Sequence, residues 1–186
     1  MLSVIRDVID PEQLLEPQNR ELVLKDADAQ VTLKHTAKEA LFAVSLNFKG
    51  IDNPGQALYP LLRHRKSCDF IVFSERKTGT VEVLLVELKQ GATGEAMEQL
   101  NNSIPLVEQI LRSAALYGSL QPFELKLGAI VFNGTVSARQ SPKSQAVPDP
   151  KYPYLPRLTL GLRGWPISNL LDLFPRARKP SAYWTI

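Results

Sequence analysis

The sequence predicts an α/β fold, a central mixed β-sheet flanked by helices. Three observations carry that expectation. Residues 68–74 and 81–89 are strongly apolar segments parted by the turn residues Lys77-Thr78-Gly79, and they read as a hairpin. Downstream, Ala96, Leu100, Ile104, Val107, Leu111 and Ala114 recur at helical spacing. Residues 123–132 then form another strand, ending in Ala129-Ile130-Val131-Phe132.

Taken in chain order, residues 1–19 form a polar lead-in with Pro11 and Pro17 and a short helix. Residues 20–25 and 30–35 read as two short strands joined by the turn-like Asp26-Ala27-Asp28. Residues 37–48 begin with a helical composition, while Phe42, Val44, Leu46 and Phe48 fit a strand in the later part. Asp52-Asn53-Pro54-Gly55 is a turn cluster. After the hairpin, 90–94 is a loop ending at a helix start, where Glu95 suits the helix dipole. The helix is expected over 95–117, with Pro105 kinking or dividing it and Gly118 as its stop. Pro142, Pro148, Pro150, Pro153 and Pro156 make 141–156 a surface loop. Residues 158–162 suit a strand, 167–174 a short helix, and the end is a short basic extension. The whole chain, 1–186, reads as one domain with no internal repeat.

The chemistry sits on the hairpin. Along 83–89, Val83, Leu85, Glu87 and Lys89 point to one face and Leu84, Val86 and Leu88 to the other. Both faces are apolar until Glu87, as in a strand covered on both sides. Two charges continuing an apolar face are costly unless paired. Asp69 opens the partner strand, so the hairpin can bring its carboxylate to that of Glu87. A hard cation such as Mg²⁺ accepts a few carboxylate oxygens, a carbonyl and several waters. Asp69, Glu87 and the Leu88 backbone carbonyl are the expected protein share. Lys89, on the Glu87 face, could lower the pKa of a metal-bound water, orient that water, or neutralise charge in a phosphodiester transition state.

The order Asp69, then Glu87-Leu88-Lys89 on the next apolar strand, then a helix bearing Gln99, resembles the PD-(D/E)XK nuclease superfamily, whose fold is restriction-endonuclease-like. The resemblance covers the middle of the chain. It implies that Asp69 and Glu87 bind Mg²⁺, with Mn²⁺ as the alternative ion, that Lys89 is catalytic and that Gln99 supports the site. Cys68 stands where the name-giving proline would be. Many members carry a further acid on an early helix, for which Glu39 is the candidate.

Two other Glu-x-Lys triplets lack this company. Glu75-Arg76-Lys77 falls in the hairpin turn, where solvent accounts for it. In 123–127, Phe123, Leu125 and Leu127 form the apolar face, which leaves Glu124 and Lys126 to solvent. Asp69, Glu87 and Lys89 also admit a plainer explanation, a salt pair at the sheet rim with Asp69 capping a turn. Cys68 suits a small buried core position.

The chain carries 22 Lys and Arg against 19 Asp and Glu, a net charge of +3. That permits a nucleic-acid partner without demanding one. Arg63, Arg65 and Lys66 lead into Asp69, where they could hold a phosphate backbone; His64 among them reads as part of a solvated run. Arg139, Lys143, Arg176, Arg178 and Lys179 add charge, and Tyr183 and Trp184 offer stacking surfaces. One cysteine makes neither an intrachain disulfide nor a thiolate zinc cluster. With no signal peptide and no membrane-spanning segment, the expectation is a cytoplasmic protein. The absence of a Gly-rich phosphate loop argues against an NTPase. The expected function is a Mg²⁺-dependent nuclease that hydrolyses DNA rather than RNA, working as a homodimer where both strands are cut. The alternative is a catalytically inactive module binding nucleic acid or protein on the same fold.

Overall fold

A computed structural model describes residues 1–46, 66–91, 94–136, 147–148 and 155–174. Its centre is a seven-stranded mixed sheet in the order β1-β4-β5-β6-β7-β9-β8. The strands are β1 (Leu14–Leu15), β4 (Ala40–Ser45), β5 (Phe70–Lys77), β6 (Thr80–Lys89), β7 (Glu124–Asn133), β8 (Val147–Pro148) and β9 (Pro156–Gly161). β4, β5 and β6 run antiparallel to one another, whereas β6, β7 and β9 are parallel neighbours.

Helices cover one face. α1 (Leu2–Arg6), α2 (Ala96–Asn102) and α3 (Ile104–Gly118) pack on a core that includes Phe42, Ile71, Phe73, Val83, Leu85, Ala129 and Val131. The other face is covered by a second sheet of order β10-β3-β2, made of β2 (Glu21–Asp26), β3 (Ala29–Lys34) and β10 (Gly164–Pro166), together with α4 (Ile167–Leu171). Leu22, Leu24, Val31, Leu33, Trp165 and Leu170 meet Phe70, Val72, Leu84, Val86 and Leu88 there. The α/β class is therefore as expected, but one flank is largely a small sheet. The β6 alternation explains the sandwich: its odd-numbered apolar residues feed the helical side and its even-numbered ones the other.

The run expected over 95–117 is divided, as expected of Pro105: two helices meet at Ser103, with Pro105 in the first turn of α3, where its missing N–H removes nothing. Other local expectations need correction. Helix α3 runs through Gly118, and the left-handed residue that ends it is Ser119, at φ 56°. Gly118 serves close packing instead, because a Cβ there would lie 2.4 Å from Val4 Cγ1 of α1. Residues 37–39 are not helical, and β4 starts at Ala40. Within the proline-rich stretch, Val147–Pro148 pairs with β9, so that part is regular edge strand. Among the described residues no helix is long and apolar enough to cross a membrane.

Candidate metal centre

The site forms where β5 begins and β6 ends. Asp69 is anchored between strands by its backbone: its N–H donates to Val86 O at 3.1 Å, and its carbonyl accepts from Leu46 N at 2.9 Å. Its side chain turns back over β6, with Oδ2 accepting the Leu88 N–H at 2.7 Å. That leaves Oδ1 as the candidate ligand atom. Asp69 is 9% exposed, and Glu87 is completely buried.

Glu87 is the unusual group. Its Oε1 forms an ion pair with Lys89 Nζ at 2.5 Å, and beyond that pair neither carboxylate oxygen has a hydrogen-bond partner. Burial, followed by the Asp69 charge, pushes its pKa up to about 7 despite the nearby Lys89 ammonium. Asp69 is likewise raised, to about 6, by burial above all, with the Leu88 N–H and Lys89 opposing and the Asp26 charge adding to the rise. Desolvation and mutual repulsion thus outweigh one ammonium. At neutral pH the pair holds an excess of negative charge that a proton or a cation must offset.

Lys89 is held from a second side by Gln99 Oε1, at 3.1 Å from its Nζ. Helix α2 also fixes the segment entering Asp69. Gln99 Nε2 donates to Ser67 O at 3.3 Å, Asn102 Nδ2 donates to Lys66 O at 3.2 Å, and Ser103 Oγ accepts the Cys68 N–H at 2.8 Å. Asp69, Glu87, Lys89 and Gln99 are therefore brought into one constellation. Ser103 and Asn102 did not stand out in the sequence, because a Ser and an Asn on a helix carry no signal until the strand they hold is known.

Other expected members lie elsewhere. Glu39 is not on a helix, and its Oε2 accepts the Thr36 N–H at 2.7 Å in an exposed turn, which removes it from the site. Lys66 pairs with Glu95 Oε2 at 2.5 Å, both well exposed, and this partner raises its pKa. Arg63, His64, Arg65, Arg139, Lys143, Arg176, Arg178, Lys179, Tyr183 and Trp184 lie outside the described residues. Cys68 is buried, and burial pushes its thiol pKa up, as suits an inert core position.

The triplet Glu75-Arg76-Lys77 is not left to solvent. Glu75 pairs with the N-terminal ammonium at 3.3 Å, and Arg76 bonds Glu82 and Asp172. Lys126, expected to be solvated, reaches Glu82 Oε1 at 3.2 Å.

Among the described residues no three His, Cys, Asp or Glu side chains form a group able to hold a metal ion by themselves. The donor set suits an ion that keeps much of its water, as Mg²⁺ does with one or two carboxylates. The unpartnered buried oxygen of Glu87 is the feature that fits such an ion. No family model, curated protein or solved structure matches the chain.

Proposed function

We propose that this chain is a Mg²⁺-dependent nuclease of the PD-(D/E)XK type that hydrolyses phosphodiester bonds in DNA in the cytoplasm, with Mn²⁺ able to replace Mg²⁺. One observation carries the reading: a fully buried carboxylate, Glu87, without a hydrogen bond to either oxygen, beside Asp69 and Lys89. Asp69 and Glu87 would hold a divalent cation, with the Leu88 carbonyl as a further oxygen, and the ion would supply Lewis acidity to the scissile phosphate and the attacking water. Lys89 places its ammonium where negative charge develops on the phosphoryl oxygens. Gln99 holds that ammonium in place, and its bond to Ser67 couples α2 to the strand carrying Asp69.

The test is cleavage of supercoiled plasmid, linear duplex and single-stranded DNA by purified protein in Mg²⁺, in Mn²⁺ and in chelator. Metal-dependent cutting that disappears in Asp69→Ala, Glu87→Ala and Lys89→Ala supports the reading. No cutting with either ion, or cutting at the wild-type rate in all three variants, defeats it. The 2.5 Å Glu87–Lys89 pair also suits a non-catalytic module in which the two charges merely satisfy each other. Calorimetry separates the two: the module takes up no Mn²⁺ that Glu87→Ala abolishes.

A further inference from the structure

We propose that Lys66 is a second ammonium for the DNA backbone, taking a phosphate next to the scissile one, and that Glu95 occupies this ammonium as a stand-in for the phosphate until DNA displaces it. The inference rests on the nuclease reading above and adds a substrate contact at the rim of the same site.

The placement follows from helix α2 and the residues at its two ends, which hold the segment entering Asp69 at four points. Ser103 Oγ accepts the Cys68 N–H, Gln99 Nε2 donates to Ser67 O, Asn102 Nδ2 donates to Lys66 O, and Lys66 Nζ lies 2.5 Å from Glu95 Oε2. The first three fix the backbone of 66–68 against the helix. The fourth joins two side chains that are both well exposed.

Glu95 stands one turn before Gln99, whose N–H donates to the Glu95 carbonyl at 3.1 Å. Residues so spaced are neighbours on a helix, with Cβ atoms about 5–6 Å apart. Gln99 Oε1 in turn takes the Lys89 ammonium at 3.1 Å. The Lys66–Glu95 pair therefore lies one helical turn from the group that holds Lys89, on the same stripe of α2. The Glu95 carboxyl is held below its ordinary pKa chiefly by Lys66, and the Lys89 charge adds to the effect. Two ammoniums thus act on one exposed carboxylate, an arrangement that suits a substrate with repeating negative charge. A phosphate oxygen offers Lys66 the same charge-assisted bond as the Glu95 carboxylate does. An exposed ion pair is weak enough for such an exchange.

The experiment measures kcat and KM for Mg²⁺-dependent cleavage of a linear DNA duplex over a range of salt, with a melting curve for each variant. Glu95→Gln is expected to lower KM by a factor of about two to five at low salt, the scale of an exposed ion pair, with kcat within a factor of about two. Lys66→Gln raises KM roughly tenfold and removes about one unit from the salt slope, as loss of one phosphate contact does. In the Lys66→Gln background, Glu95→Gln has no further effect on KM. Both single variants melt with the wild type. If Glu95→Gln leaves KM unchanged while the wild type cuts DNA, the stand-in role is overturned and the nuclease reading stands. If Glu95→Gln lowers KM equally with Lys66 absent, general repulsion from DNA explains the effect and the proposal falls. A fall in kcat at unchanged KM would likewise overturn it, by making Glu95 a support of Lys89. If the wild type cuts no DNA with Mg²⁺, the nuclease reading fails and this inference with it.

Discussion

Strand β6 carries two buried glutamates, and they are treated oppositely. Glu82, 2% exposed, is enclosed by donors: Arg76 reaches both of its oxygens at 2.7 Å, and Lys126, its register partner on β7, reaches Oε1 at 3.2 Å. The register shift between Ser74 and Lys77 accompanies this arrangement, as bulges do when a side chain is re-aimed. Arg76 extends the network to Asp172 and the Ser168 carbonyl, fastening α4 and the turn after it. Glu87, five residues on and facing the helical side, has Lys89 beside it and no hydrogen bond. A buried charge that is fully bonded belongs to the architecture. One left short of partners costs stability, and it persists where something else is bound.

The sharpest way to break this contrast is to remove Glu87. Glu87→Gln is expected to lower DNA cleavage by about a thousandfold or more, the scale of losing a central electrostatic element of a reaction. The melting temperature of the metal-free protein at pH 8 should stay the same or rise, because a desolvated charge is gone. A parallel loss of cleavage and of several degrees of stability would make Glu87 an architectural residue like Glu82.

The reverse is expected of Arg76. Arg76→Ala leaves Glu82 buried with Lys126 as its remaining partner. Breaking such a network typically costs about 3–5 kcal/mol. Denaturant unfolding measures it, and the cleavage rate per folded molecule should be unaffected. A cost below about 1 kcal/mol would place this network with ordinary surface pairs.

Protonation gives a third comparison. Glu87 has a folded pKa near 7 against an ordinary 4.5, and Asp69 one near 6 against 3.8, both raised mainly by burial. Between those limits the folded chain holds more protons than the unfolded one, so this pair makes stability fall as pH rises from about 4 to 7. Melting curves in chelator, wild type minus Glu87→Gln, should show that slope. Saturating Mg²⁺ should flatten it near neutrality, where the ion replaces the proton. A difference curve independent of pH would mean that Glu87 is no more desolvated than a surface acid.

The same contrast explains how far the sequence could be read. The hairpin, the crossover helices and the trio Asp69, Glu87 and Lys89 were legible because charges interrupt an otherwise apolar alternation. Glu82 breaks the same strand without standing out in the sequence, since its partners Arg76 and Lys126 each sit in a triplet that looks solvated until β5, β6 and β7 are aligned. The second sheet could be read as strands but not as a cover for the main sheet, because β10 joins β3 from the far end of the chain. Glu39 was misplaced because the composition of 37–41 suits a helix, whereas pairing of β4 with β5 draws those residues into a turn and an edge-side strand.

The smallest effects separate two residues on one helix. Gln99 and Ser103 stand one turn apart on and after α2, and Ser103 Oγ donates to the Gln99 carbonyl at 2.9 Å. Gln99 touches the Lys89 ammonium, whereas Ser103, fully buried, touches the Cys68 backbone. Ser103→Ala strands the Cys68 N–H and should cost about 1–3 kcal/mol in denaturant unfolding, with little change in kcat for the folded fraction. Gln99→Ala should leave stability within about 1 kcal/mol and lower kcat about tenfold at unchanged KM, since Lys89 keeps its charge and loses its alignment. Gln99→Glu keeps an acceptor for Lys89 but removes the donor to Ser67, so it should recover part of the rate if holding Lys89 is what matters. A Gln99→Ala variant that loses stability at full kcat would move Gln99 into the same class as Ser103, leaving Lys89 positioned by Glu87 alone.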